Sequence, residues 1–206
     1  MTAQIAPRLK EFNDVVGQYR QIAIKEKASP DQIAAIQQYF EIPIPEDLRS
    51  FYLDMGSLTP YNYETWSLEI NEVPYLLEQL DNKNGFGWCR SLGLIDYIRF
   101  VWGNDREEFD EDNYLTGEQI NLLNKNYKCF GLYRTDWGLE EAYYLYFDRD
   151  GKFGTIRYHQ DCMNELVPQL ISLLQKSAAT ENLEDLLLRI LNVLENGILS
   201  EEEDDE

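Results

Sequence analysis

Apolar residues in the first quarter of the chain recur every three or four positions, which is the spacing of one face of an α-helix. The first stripe predicts an amphipathic helix that fades near Lys25 and comprises Ile5, Leu9, Phe12, Val16 and Tyr19. A second stripe follows the helix-start signal Ser29-Pro30 and comprises Ile33, Ile36 and Phe40. A third stripe comprises Leu48, Phe51, Tyr52 and Met55. The chain therefore opens with three predicted helices.

Two prolines separate the second helix from the third. Pro43 ends the second helix, because a proline inside a helix removes a backbone donor. Pro45 suits a first helical position, and the acidic residues Glu46 and Asp47 favour the positive end of the helix dipole. Gly56 supplies the C-terminal stop of this third helix.

The middle of the chain mixes short elements with loops. Residues 57–65 read as a polar, aromatic loop, residues 66–70 as a short strand and residues 74–80 as one or two helical turns. Helix spacing returns before Gly103 in Leu92, Ile95, Ile98, Val101 and Trp102. An acidic loop follows over residues 104–115, and Thr116 with Gln119 then forms a capping box for a helix that reaches Asn124.

Strand patterns appear after residue 127. Residues 142–147 are apolar on both faces, which is typical of a central strand, and Asp150-Gly151 predicts a hairpin into a returning strand. Two helical stripes follow, comprising Met163, Leu166, Leu170, Leu173 and Leu174, then Leu183, Leu187, Ile190, Leu191 and Leu194. This order predicts an α+β fold, an antiparallel sheet with helices packed on one face and helical extensions at both termini.

The turn at Ile44–Leu48 and the strand region at residues 127–158 together resemble the SUKH superfamily, which covers bacterial toxin-immunity proteins and a fungal cell-wall-synthesis regulator. The first is the Ile44-Pro45-Glu46-Asp47-Leu48 turn between two short helices, closed by Gly56. The second runs over residues 127–158, with a Phe-Gly opening and an aromatic strand before Asp148-Arg149-Asp150-Gly151. The resemblance spans about residues 29–167 and implies a non-catalytic protein-binding module without catalytic residues. The chain departs from the pattern in its first helix, its helical stretch at 71–125 and its last two helices.

Size and charge narrow the possible partners. With 206 residues, 44% of them hydrophobic, the chain is expected to form one domain over residues 1–200, followed by a disordered acidic tail at 201–206. The net charge is -20, of which the tail supplies six, leaving -20 + 6 = -14 elsewhere. This argues against nucleic acid or an anionic membrane as a direct ligand and favours a basic protein partner. The alternative is that acidity only maintains solubility.

Cysteine usage and hydropathy indicate a cytoplasmic protein. Cys89, Cys129 and Cys162 are an odd set without framework spacing, which suits reduced thiols better than disulfides. The first ten residues lack the apolar region of a signal peptide, and no run approaches 18 apolar residues.

The sequence favours no metal or cofactor. His159 and the three cysteines would complete a zinc set, but the paired-ligand spacing is absent. Asp148-x-Asp150-Gly151 begins like a calcium loop yet lacks its remaining ligands, so a turn is the better interpretation. Nucleotide and serine-hydrolase motifs are missing. A carboxylate pair acting as a hydrolase remains open, with Glu140-Glu141 or Asp136 beside Trp137 as the first suspects.

Three loops combine carboxylates with aromatic residues, a composition suited to binding a basic protein. The predicted partner-binding residues are Tyr61, Tyr63, Glu64, Trp66, Glu107, Glu108, Asp110, Asp136, Trp137, Glu140 and Glu141. The hypothesis is an immunity protein that masks the active site of a cognate toxin, with a basic nuclease as the candidate toxin. A regulatory scaffold for a cellular protein and a carboxylate-dependent hydrolase are the alternatives, and the oligomeric state stays open.

Overall fold

The structure is a computed structural model that describes residues 4–62, 66–82, 89–102, 114–135, 140–159, 162–175 and 181–204, with only the backbone of Met163 and of residues 202–204. Within these ranges, six strands form one antiparallel sheet in which each strand pairs with its neighbour along the chain. The strands are β1 Ile22–Ile24, β2 Leu58–Pro60, β3 Ser67–Ile70, β4 Tyr127–Arg134, β5 Glu141–Asp148 and β6 Phe153–His159. The sheet is therefore a meander with β1 and β6 at its edges.

Helices precede, interrupt and follow the sheet. They are α1 Ile5–Val15, α2 Pro30–Phe40, α3 Glu46–Ser50, α4 Val73–Asp81, α5 Leu94–Trp102, α6 Gly117–Asn126, α7 Met163–Leu174 and α8 Leu183–Asp204. A short 3₁₀ turn over Gln18–Arg20 joins α1 to β1. The predicted α+β class, antiparallel sheet and helical extensions are confirmed.

The N-terminal signals act locally as expected. Ser29 and Gln32 form a reciprocal capping box at the start of α2. Pro45 is the N-cap of α3, one residue before the position predicted for it. The third helix finishes in a π-helical turn over Phe51–Met55 and stops at Gly56, whose φ is 111°. A Cβ at Gly56 would lie 2.2 Å from a backbone oxygen, so this turn requires glycine.

The C-terminal half follows its predicted pattern, and the differences lie at the end of the last helix and in two short strands of the N-terminal half. The hairpin between β5 and β6 turns at Gly151, whose φ is 72°, and β5 lies inside the sheet between β4 and β6. Helix α8 continues to Asp204, so the segment predicted as a disordered tail from residue 201 begins as helix. Strands β1 and β2 were not predicted, because each has only three residues and no alternating pattern of useful length.

Aromatic contacts show where the helices lie. Phe40 of α2 contacts Phe147 with ring centroids 5.1 Å apart, whereas Tyr97 of α5 contacts Tyr144 at 6.1 Å. Because Tyr144 and Phe147 are three positions apart on β5, they point to opposite faces. Helices thus pack on both faces of the sheet, where the sequence had predicted one.

Candidate protein-binding site

Seven of the eleven predicted partner-binding residues lie outside the described part of the chain. They are Tyr63, Glu64, Glu107, Glu108, Asp110, Asp136 and Trp137. The remaining four lie in three different environments.

Tyr61 stands on the surface directly after β2. Its side chain is 59% exposed and meets the 70% exposed ring of Tyr19 edge-on, with centroids 5.6 Å apart. Its amide donates to the carbonyl of Gln21, so the pairing of β1 with β2 extends to this residue. The two tyrosines form an exposed aromatic pair at the β1 edge, and Tyr19, which the sequence assigned to a helix face, was not expected there.

Trp66 instead packs within the chain. Its indole N–H donates to the carboxylate of Glu201 at 2.6 Å, and its ring fills the space left by Gly197 on α8. Arg20 contacts the same carboxylate at 3.2 Å. Trp66 therefore connects α8 to the beginning of β3, and its indole N–H is hydrogen-bonded within the chain.

Glu140 and Glu141 differ from each other in exposure. Glu140 is exposed, with its carboxylate 3.9 Å from His159. Glu141 is buried and forms an ion pair with Arg157 on the neighbouring strand. Glu140 lies just before β5, and each of the two carboxylates contacts a residue of β6. Strand β4 separates both of them from β3.

An acidic cleft lies at the β2–β3 end of the sheet. Thr59, Glu69, Glu72 and Tyr75 line it, and its volume is about 430 Å³. Strand alternation places Tyr61 on the same side of β2 as Thr59, one pleat further along. Tyr75 is 45% exposed. These four lining residues constitute the acidic cleft.

The electrostatics of the acidic cleft favour a cationic ligand. Burial raises the pKa of the Glu69 carboxyl, the charge of Arg134 opposes that rise, and Glu72 adds to it. Burial and then the charge of Glu69 raise the pKa of Tyr75. Within the described residues, no Lys, Arg or His nitrogen lies within 4.0 Å of the Glu69 or Glu72 carboxylate. A cation entering the cleft would relieve the repulsion between the two carboxylates.

Sequence reasoning missed Glu69 and Glu72. The available signal was an acidic residue between two buried strand positions, Leu68 and Ile70, followed three residues later by a carboxylate at the start of a helix. That signal is weak, because alternation alone assigns Glu69 to an ordinary solvated face.

The cysteines and carboxylates of the described residues form no cluster of three or more metal-ligating groups. Cys89 and Cys129 are both buried. Burial raises the pKa of the Cys89 thiol to about 12, with Asp96 adding to the effect. Helices long and apolar enough to cross a bilayer are absent from the described ranges.

A family model matches residues 27–179, and it describes the SMI1 / KNR4 family (SUKH-1). The chain belongs to this family. The resemblance predicted from the two sequence segments is thereby confirmed. No curated protein and no solved structure matches the chain.

Members of the SMI1 / KNR4 family are generally non-catalytic immunity or regulatory proteins that bind other proteins. Membership supports a toxin-immunity or regulatory protein-binding role for this chain. The four residues of the acidic cleft lie within the matched range, whereas α1, Tyr19 and α8 lie outside it.

Proposed function

We propose that this chain is an immunity protein, which neutralises a cognate basic toxin, such as a nuclease, by covering its active site. The observation that supports the proposal most directly is the acidic cleft, where two carboxylates that form no ion pair within 4.0 Å among the described residues sit beside an exposed tyrosine. The net charge of -20 acts in the same direction, because it attracts a basic partner over a longer range.

In this proposal the acidic cleft receives a lysine or arginine side chain of the toxin. Glu69 and Glu72 bind its charge, and Tyr75 offers a ring face for a cation–π contact. The exposed pair of Tyr61 and Tyr19 supplies apolar area at low entropic cost beside the charged contact. Since a nuclease uses basic side chains to hold phosphates, capture of one such side chain would also compete with its substrate.

The test begins with capture of the tagged chain from its host's lysate at low and high salt, followed by mass spectrometry. The proposal requires one tightly bound basic protein whose expression alone kills cells and whose toxicity the full chain suppresses. A tightly bound partner without toxicity would support a regulatory scaffold instead. Absence of a partner, with the toxin shown to be expressed, would contradict both.

Charge-neutral variants test the role of the acidic cleft. Glu69→Gln with Glu72→Gln should weaken toxin binding by about 10-fold or more, the loss expected when a charged contact of about 1.5–3 kcal/mol is removed. The matched control is Glu26→Gln with Asp54→Asn, two exposed acidic residues outside the cleft. It changes the net charge equally and should lower only the salt-dependent association rate. Equal losses for both pairs would show that only the overall charge matters.

A carboxylate-dependent hydrolase is a second candidate, favoured by one observation. Glu69, with its raised pKa beside a second carboxylate in a cleft, has the character of a proton donor. Hydrolysis of oligosaccharides by the purified chain that disappears in Glu69→Gln would support this function. Activity that survives in that variant would contradict it.

A further inference from the structure

Two residues on the outer edge of β6, the edge that faces away from β5, have their backbone groups hydrogen-bonded by other parts of the chain. At Phe153, the backbone of Glu181 pairs with both the N–H and the C=O, at 3.0 and 2.8 Å. At Arg157, the side-chain amide of Gln169 does the same, accepting from the N–H at 3.0 Å and donating to the C=O at 3.0 Å. At each of these two residues, both the backbone N–H and the backbone C=O therefore have a hydrogen-bond partner.

Thr155 lies between these two closed positions and has the same orientation. Alternation along β6 directs its N–H and C=O away from β5, like those of Phe153 and Arg157. Among the described residues, neither group has a hydrogen-bond partner. The opening beside Thr155 is a cavity of about 510 Å³, a size common among small-molecule sites.

On the opposite edge of the sheet, the outward-facing backbone groups of Ile22 on β1 are also hydrogen-bonded by a side-chain amide. The Asn13 side-chain amide donates to the carbonyl of Ile22 at 2.8 Å and accepts from its N–H at 2.9 Å. Two edge residues, Ile22 and Arg157, are thus each satisfied by one primary amide. A primary amide carries a donor and an acceptor on the same side, so one small group satisfies both backbone groups of an edge residue, as a whole extended residue does at Phe153.

We propose that this cavity binds a small ligand bearing a primary carboxamide, of the glutamine class. The ligand's carbonyl oxygen accepts from the Thr155 N–H, and its amide N–H donates to the Thr155 carbonyl. Tyr146, Pro168 and Leu173 supply an apolar wall for the methylene groups. Glu181 and Arg189 also line the cavity as an ion pair at 2.9 Å, offering an acceptor and a donor to a dipolar head group.

The proposal is independent of the proposed toxin binding, since the cavity and the acidic cleft share no residue. It is tested with the uniformly ¹⁵N-labelled full chain, titrated with L-glutamine and separately with L-glutamate. Glutamine should shift the Thr155 amide resonance saturably, with Kd below about 1 mM, and slow its hydrogen exchange. Glutamate has nearly the same shape but no amide donor, and its carboxylate repels the Thr155 carbonyl, so it should bind at least 10-fold more weakly. Equal responses to the two ligands, or no saturable response to glutamine, would overturn the proposal.

Two variants test whether glutamine binds to the backbone of Thr155. Thr155→Pro removes the N–H at an edge position, where proline is tolerated, and should abolish the response to glutamine. Thr155→Val keeps both backbone groups and should bind glutamine with unchanged affinity. Undiminished binding in folded Thr155→Pro would contradict the assigned contact. If that variant does not fold, the glutamine and glutamate comparison on the unaltered chain still decides the question.

Discussion

The ammonium group of Lys128 lies 3.3 Å from the carboxylate of Glu41, although the Lys128 side chain is 1% exposed and that of Glu41 is 68% exposed. Burial lowers the pKa of Lys128, and the charge of Glu41 opposes that change. Glu41 ends α2 with a φ of 60°, the only positive φ of a non-glycine residue in the described chain. This ion pair therefore joins the end of α2 to an interior strand at a strained backbone position.

Replacing Lys128 and replacing Glu41 are expected to affect the free energy of unfolding differently. Lys128→Met should leave the free energy of unfolding unchanged or raise it, because a buried charge is replaced by an apolar side chain of similar length. Glu41→Gln should lower it by about 1–3 kcal/mol, because the buried ammonium loses its charged partner. Urea denaturation at pH 7 measures both values.

The pH dependence provides a second readout for Lys128. Its pKa is lower in the folded state than in the unfolded state, so between the two values the unfolded chain binds more protons. The stability contribution of this lysine therefore increases as the pH rises from the folded pKa to the unfolded pKa. Lys128→Met should lose that alkaline increase, and a variant with the original pH profile would contradict the assignment.

Gly197 is expected to tolerate no side chain. A Cβ there would lie 2.0 Å from the ring of Trp66, so Gly197→Ala must displace the indole and its bond to Glu201. We expect a loss of about 1–3 kcal/mol, despite the better helix propensity of alanine. Thermal denaturation and Trp fluorescence report the two effects. Gly117→Ala, whose Cβ would meet nothing within 4 Å, is the matched control and should be neutral or stabilising.

Much of the fold was predictable because its signals are local. The Ser29–Gln32 capping box, the hairpin at Gly151 and the leucine stripe of α8 each depend on residues close in sequence, and each is present. Strand β1 was not predictable, since its three residues are stabilised by β2 and by the side chain of Asn13. These tertiary contacts stabilise β1 as a strand, although its sequence has no strand periodicity.

The candidate site was less predictable, because its residues act through contacts that are distant in sequence. The sequence places Trp66 beside an aromatic, acidic loop, but its partners, Gly197 and Glu201, lie more than a hundred residues away. Glu69 looked like an ordinary strand residue until the fold placed it beside Glu72 in a cleft. Charge composition favours the basic partner that the proposal assumes, whereas only the packing suggests where such a partner would bind.

Glu69→Gln should stabilise the isolated protein while weakening toxin binding. Since burial raises the folded pKa of Glu69 above its unfolded value, its stabilising contribution is complete below the unfolded pKa and is lost as the pH rises through the folded pKa. At pH 7 the charged form is therefore costly, and the neutral glutamine removes that cost. We expect a higher Tm at pH 7 and a difference that disappears in acid. A lower Tm at pH 7 would show that the carboxylate has a stabilising contact.

Asn13 is expected to protect the β1 edge from pairing with another chain. Its amide occupies both outward-facing backbone groups of Ile22, and the next outward residue, Ile24, is exposed and apolar. Asn13→Ala would leave two backbone groups without partners, and we expect a loss of about 1–3 kcal/mol. An open edge beside an exposed isoleucine also favours strand addition, so the variant should self-associate at concentrations where the original chain does not. Light scattering together with urea denaturation measures the two effects, and Asp14→Ala, one residue along on the same helix, is the control. Unchanged self-association in a destabilised Asn13→Ala would mean that the amide stabilises β1 without guarding its edge.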